Sequence, residues 1–377
     1  MIKNILLYKE STVGVVPSSP KGYSIKVESF GLKSTQQSEK KQLLGDGRGA
    51  SRNIYGTESV DGDLGFVLDE DNAPIIMYHT VGAFSSSGDA SSDDWASDTA
   101  YTVGDIVNHS NGTTSLTCKT AGTSGSSEPA VSGTRGATVA DNGVVWIEMP
   151  RLKRYIGERA DCLESFGVEV EDKNGCPSGA SAYTRYCGLF ANTLPLSLSG
   201  GGQSVGCSVS TVGTKKEDSL IDDGYENLSA KTGFSLVETV QNFYGIKDLS
   251  VYINGVKASK TTEVAITSTN NVSMADALNG EKVDDIGQIE NSGSIKCLFN
   301  TQKYKDAATN TVQSLKIEFK KADGCMCVIE YPQFEMEKVD KVFETNKTTS
   351  LDIPINAFDT KESKSVKYEI VSPLPSY

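Results

Sequence analysis

At 377 residues the chain is long enough for roughly two and a half domain-sized units, and 37% apolar with 23% charged residues is the makeup of a folded protein, not a disordered one. Its 49 acidic against 36 basic residues leave a net charge of −13, and a surface of that sign repels phosphate backbones and anionic lipid, which excludes stable nucleic-acid or membrane-surface binding. Only two histidines, His79 and His109, are present, which excludes most histidine-based catalysis and most zinc centres.

The first nine residues carry too short an apolar stretch for a secretion signal. No apolar run reaches the roughly 20 residues of a membrane-spanning helix, so a chain that stays in the cytoplasm where it is made is expected. The dominant signal thereafter is alternation of apolar and polar residues, which marks half-buried strands. It appears at 24–28, 194–199, 207–212, 249–253, 294–299, 315–319 and 366–371. Gly, Asn, Asp and Ser clusters separate these runs as turns. Short helices are expected at 72–81 and 302–309, and a flexible Ser/Gly linker at 85–92. The expected class is all-β: two tandem sandwich or barrel domains with short flanking helices, plus a small β module.

An internal repeat supports the two-domain reading. Leu32-Lys-Ser-Thr-Gln-Gln lies over Ile266-Thr-Ser-Thr-Asn-Asn at an offset of 234 residues, and Gly62-Asp-Leu-Gly-Phe-Val-Leu over Gly293-Ser-Ile-Lys-Cys-Leu-Phe at 231. A third match sets Ser208 against Leu351. The spacing of the last two leaves about 88 extra residues in the first half, most of them in the distinct segment 93–149. The expected division is therefore 1–90 and 151–240 for the first domain, 91–150 for the inserted module and 241–377 for the second domain.

Reactive chemistry finds little to stand on. His79 lies in an apolar run, Ile75-Ile-Met-Tyr-His-Thr-Val, and is expected to be packed; His109 lies in a turn without a nucleophile signature nearby. Gly200-Gly-Gly-Gln lacks the lysine and helix of a phosphate loop. Asp69-Glu-Asp-Asn and Asp222-Asp-Gly lack the spacing of a calcium loop and are expected to be solvated turns. Eight cysteines, including Cys325-Met-Cys327, fit neither a disulfide framework nor a metal grid and are expected to be ordinary thiols. No catalytic residue, metal or cofactor is expected.

The segment 93–149 contains Trp95, Tyr101, Gly104-Asp105, Cys118, Ala121-Gly-Thr-Ser-Gly125, Glu128-Pro129 and Val145-Trp146. It resembles a small β module, related to carbohydrate-binding modules of chitinases, that is often inserted in phage structural proteins. The resemblance makes Trp95, Tyr101 and Trp146 candidate glycan-facing aromatics, although each could equally serve a small core. Thr117 stands where that module commonly has an aromatic.

Outside the module, Tyr186-Cys-Gly-Leu-Phe-Ala-Asn-Thr-Leu-Pro-Leu-Ser-Leu-Ser followed by Val205-Gly-Cys-Ser-Val-Ser-Thr-Val-Gly213 resembles a strand pair of long-tailed bacteriophage tail tube proteins. Glu58 to Leu68, Ser250-Val-Tyr-Ile-Asn-Gly-Val and 276–299 resemble flanking parts of the same family. The resemblance implies a virion tail protein assembled in the host cytoplasm, stacking as rings into a hollow acidic-lined tube. With two tandem copies, three chains would make a pseudo-hexameric ring, with 34–54 and 269–287 as arms. Implied partners are further copies of the chain, a tape-measure protein, terminator and tip proteins, transient double-stranded DNA and an exterior glycan. The alternative is a β-rich tail adhesin that uses the module to bind glycans.

Overall fold

The computed structural model describes residues 2–40, 53–172, 181–199, 204–276, 282–298, 311–338, 350–375 and 377. One antiparallel sheet runs through both halves of the chain. From its amino-terminal side the strands are Lys33–Lys40, Asn53–Val67, Gly206–Gly213 and Ala182–Ser199. The sheet continues through Thr261–Thr269, Glu290–Leu298 and Ser350–Ala357. Alternation gives it two unlike faces: Leu194, Leu196, Leu198, Cys207, Val209, Val264, Ile266, Ile295, Leu351 and Ile353 are buried, while the residues between them face out.

A second layer covers the apolar face. In the amino-terminal half the strand Ala182–Ser199 changes partners around Gly188, and its first part pairs with Phe166–Asp172 and Lys215–Asp218. Phe166–Asp172 pairs in turn with Ile2–Lys9, and that strand with Lys21–Ser24. Gly188 adopts φ +64, and a Cβ there would lie 2.3 Å from Thr214 Oγ1, so glycine is required at this change of sheet. The buried Glu10 carboxylate fixes the corner by accepting from the amides of Gly188 and Gly14 and from Ser165 Oγ. The carboxy-terminal half repeats the order: Met326–Met336 pairs with Val312–Lys320 and Lys367–Ser372, Val312–Lys320 with Leu249–Ile253, and that strand with Val256–Lys257. One apolar core from Ile5 to Leu374 fills the space between the layers.

The two halves share register as well as order. Gly62 lies against Gly31 O and Leu32 Cα, and Gly293 lies against Ala265 O and Ile266 Cα. Leu64 pairs with Phe30 and Val209; Ile295 pairs with Val264 and Ile353. The third sequence match shifts by one residue: Cys207 stands opposite Phe66 as Leu351 stands opposite Cys297. Alternation alone leaves a slip of one residue undecided in a short match, whereas the ladder fixes it.

The helix Asn72–Thr80 confirms the expected 72–81 element and is buried on every side. Asp69 organises its start, accepting the Asp71 and Asn72 amides on Oδ1, and Pro74 falls within the first turn, where a missing N–H costs nothing. The second expected helix, 302–309, lies outside the described residues, as does Gly200-Gly-Gly-Gln. The strand expected at 24–28 forms instead at Lys21–Ser24.

The expected linker at 85–92 is largely a strand. Phe84–Asp89 pairs with Lys153–Glu158, and Lys153–Glu158 pairs on its other side with Lys367–Ser372. Phe84–Asp89 and Lys153–Glu158 are therefore the two arms of a hairpin that extends the outer layer of the carboxy-terminal half, with the module of 91–150 between them. The module has a four-stranded sheet of Thr138–Asp141, Val144–Pro150, Thr114–Thr120 and Ile106–Asn108. Cys118, Cys187, Cys207, Cys325 and Cys327 are buried thiols outside any disulfide, and Cys162 is an exposed one.

Candidate assembly surfaces

The junction between halves is a strand pairing. Residues 193–199 run antiparallel to 263–269, with Leu196 opposite Ile266. A short hairpin, Val272–Asp276 with Lys282–Ile286, continues past the junction. Val272, Met274 and Ile286 pack with Leu163 and Phe190 of the amino-terminal half, and Asn270 Nδ2 donates to the carbonyls of Ala191 and Thr80 at 2.8 and 2.9 Å. On the far side of the sheet, the strand Lys33–Lys40 pairs, among the described residues, only with Asn53–Val67 and is exposed along most of its length. An edge of this kind presents unpaired backbone groups to any second strand.

The outward face of the sheet is rich in hydroxyls. Thr193, Ser197, Ser199, Ser208, Ser210, Thr267, Thr269, Ser292 and Ser294 alternate with the core residues. Carboxylates on it include Asp61, Asp63, Glu263, Glu290 and Asp352, and it also carries Lys33, 3.5 Å from Asp61, and Lys296, 3.8 Å from Glu263.

Four segments meet at Glu70, whose side chain is fully buried. Its Oε1 accepts from Lys321 Nζ at 2.7 Å and from Asn242 Nδ2 at 2.6 Å, and its Oε2 accepts from Arg135 of the module. Asp71 accepts from Arg135 Nη1 at 3.2 Å and from the Val240 amide at 2.6 Å. Burial pushes Glu70 up, but Lys321 and Arg135 outweigh it and hold the carboxyl below its ordinary value. The solvated turn expected at Asp69-Glu-Asp-Asn is therefore corrected: these residues are buried, and the pairing supplied by distant cations is what permits it. Asp222-Asp223-Gly224 is exposed as expected. Glu70, Asp323 and Cys325 offer the one metal-like donor group among the described residues; both Glu70 oxygens already bind cationic side chains.

Burial pushes Asp69 up to about 7 against the opposing pull of the Asn72 amide, and pushes Asp323 up to about 6 with help from the Glu70 charge. A carboxyl raised above its unfolded value of about 3.9 penalises the fold fully above its folded pKa, and the penalty is relieved as pH falls toward the unfolded value. The thermal midpoint should therefore rise from pH 8 to pH 5. Asp69→Asn, which keeps the oxygen used by the two amides, should flatten that rise; an unchanged pH profile would rule out Asp69 as its source.

His79 is packed as expected. Its Nδ1 meets the Glu164 carbonyl at 3.1 Å and its Nε2 the Tyr377 hydroxyl at 2.5 Å. Burial pushes it down to about 3, so the ring is neutral, donates from Nδ1 and accepts from Tyr377. His109 sits beside Glu128 and the Pro129 carbonyl in the module.

Tyr101 and Trp146 do not face solvent: with exposures of 9% and 0% they form the module core with Leu116, Cys118 and Val144. The other buried members of this core, Val107, Leu116, Cys118 and Val144, are aliphatic or thiol groups smaller than a ring, so Tyr101 and Trp146 supply much of the volume of so small an interior. Trp95 is half-buried against the same cluster, and one Asp141 oxygen accepts both indole N–H groups, at 2.8 Å from Trp95 and 3.0 Å from Trp146. Thr117 is buried and donates to the Asp323 carbonyl at 2.8 Å. Thr117 thus meets the carboxy-terminal half of the same chain, beside an apolar seam of Ile147, Met149, Leu152, Cys325 and Val371. The clamp at Glu70 and this seam escaped sequence reasoning, because each joins residues from distant segments.

A layered antiparallel framework with its buried charges consumed in joining segments defines a structural β-sheet protein. No helix among the described residues is long and apolar enough to cross a membrane. The chain matches the family model for phage tail tube protein over residues 3–355, which takes in both halves and the module. It belongs to that family and is a structural component of a bacteriophage tail. No curated protein matches it.

Proposed function

We propose that the chain is two fused copies of one tube sandwich, and that three chains close into a ring of six sandwiches. The observation that carries this is the pairing of 193–199 with 263–269, which makes one sheet out of two halves of matching register. Repeated between chains, the same joint is head-to-tail: a rotation that closes gives a ring, and ring-on-ring contacts that do not close give a filament. The outward sheet face then becomes the wall of the bore. Its surface is chiefly hydroxyls with a few carboxylates, and its lysines Lys33 and Lys296 lie 3.5 and 3.8 Å from Asp61 and Glu263, so it offers few uncompensated cations to replace the counterions of passing double-stranded DNA and holds it weakly. A tape-measure protein occupies the same bore during assembly, and terminator and tip proteins close its ends. The module lies on the outer layer, away from the bore. With Tyr101 and Trp146 in its core and Thr117 covered, its aromatics support bracing of the subunit more than glycan capture or an adhesin role.

Negative-stain microscopy of the purified full chain tests this. Hollow tubes of stacked rings with three subunits per ring are expected. A compact trimer that binds glycans and never forms rings or tubes would overturn the proposal.

A further inference from the structure

We propose that Gln36, Lys40 and Tyr55 dock on the strand Met326–Met336 of a second copy of this chain, with Lys40 set against Glu335. This rests on the ring reading above and deepens it by naming the side chains that make the joint between subunits.

The template is the joint inside the chain. Ser38 pairs with Tyr55 as Val272 pairs with Ile286, and in both halves an irregularity separates this pairing from the one before it. That register places Gln36 at the position of Asn270, Lys40 at that of Met274, and Tyr55 at that of Ile286. On the receiving side, Phe190 pairs with Val212, and Ala191 with Thr211. Their counterparts are Glu335, which pairs with Asn356, and Met336, which pairs with Ile355.

The side chains differ between the two joints in the way their exposure requires. Inside the chain, Met274 and Ile286 pack against the cluster of Leu163, Phe190 and Val272 and are never separated from it. The amino-terminal hairpin has no such cover: Ile54 and Tyr55 are 57% and 62% exposed, and Lys40 and Glu335 are exposed. A joint that must stay soluble before assembly uses a charge on each side where the permanent joint uses two apolar groups. Opposite charges also select the correct partner edge. Gln36 is the longer amide at the position from which Asn270 donates to Ala191 O and Thr80 O, and it can donate to a backbone carbonyl near Met336 of the second copy. Addition of a strand to an exposed edge is the general form of this contact.

The test uses the full chain carrying Lys40→Glu, Glu335→Lys or both, with tube yield read by microscopy and sedimentation. Each single variant should lose at least about tenfold in tube yield, because it sets like charges across the joint; the double variant should recover to near wild type. Tyr55→Ser should lower tube yield without shifting the unfolding midpoint of the unassembled chain. Single variants that polymerise normally, or a double variant as defective as the singles, would overturn this joint while leaving the ring reading standing. A wild-type chain that never forms tubes would remove the ring reading, and this joint with it.

Discussion

Glu70→Ala should destabilise the folded chain by about 3–5 kcal/mol, the usual cost of leaving buried charges without their partner. The substitution removes the carboxylate that neutralises Lys321, one of the two that neutralise Arg135, and the acceptor used by Asn242; Lys321 keeps only the Asn242 carbonyl and Arg135 only Asp71, with side chains 10% and 18% exposed. The effect should not be confined to stability. Both tryptophans of the chain, Trp95 and Trp146, lie in the module, so tryptophan fluorescence reports on the module while circular dichroism reports on the whole β framework. In the wild type the two urea transitions should coincide, because Arg135 and the seam around Leu152 hold the module to the body. In Glu70→Ala they should separate. Glu70→Gln, which keeps the shape and one acceptor, should fall between the two. A loss below about 1 kcal/mol with coincident transitions would mean that the cations find water at little cost and that the apolar seam alone holds the module.

Gly293→Ala should be nearly as damaging, at about 3 kcal/mol or more. A Cβ at Gly293 would lie 2.0 Å from the Ala265 carbonyl oxygen and 2.8 Å from Ile266 Cα. Both obstacles are backbone in a paired strand and cannot rotate aside. Gly62→Ala should behave alike, since its Cβ would lie 2.2 Å from Gly31 O, and Gly62 additionally sits at φ +142. Gly88→Ala is the control: it lies in a strand with nothing within 4 Å of a new Cβ and should change the midpoint little. Chemical denaturation of the three variants measures the contrast. Equal and small effects at all three sites would show that the sheet yields at these crossings.

The glycine pair also shows where sequence reading succeeds. Gly62 and Gly293 open the two segments matched at an offset of 231 residues, and the structure gives both the same obstacle on the neighbouring strand. Alternation likewise located the strands around Leu194–Leu198, Cys207–Val209 and Leu315–Phe319, since one face of each is buried. The acidic run 69–71 shows where it fails. Three consecutive carboxyl-bearing residues read as solvated, because nothing nearby in sequence neutralises them; Lys321 and Arg135 arrive from 251 and 65 residues away. The linker expected at 85–92 fails over Phe84–Asp89 for a related reason. Its serines carry no apolar pattern, and its strand character comes from the ladder with Lys153–Glu158.

By itself the sequence determined that this protein is all-β and related to phage tail tube proteins, because alternation and strand motifs are local properties of the chain. Only the tertiary structure decided that the two halves share one sheet, that the module is braced by a buried carboxylate instead of hanging on a linker, and that two of its three candidate aromatics face inward. Those features depend on pairings and charge contacts between residues far apart in the chain, which folding brings together and local sequence does not encode.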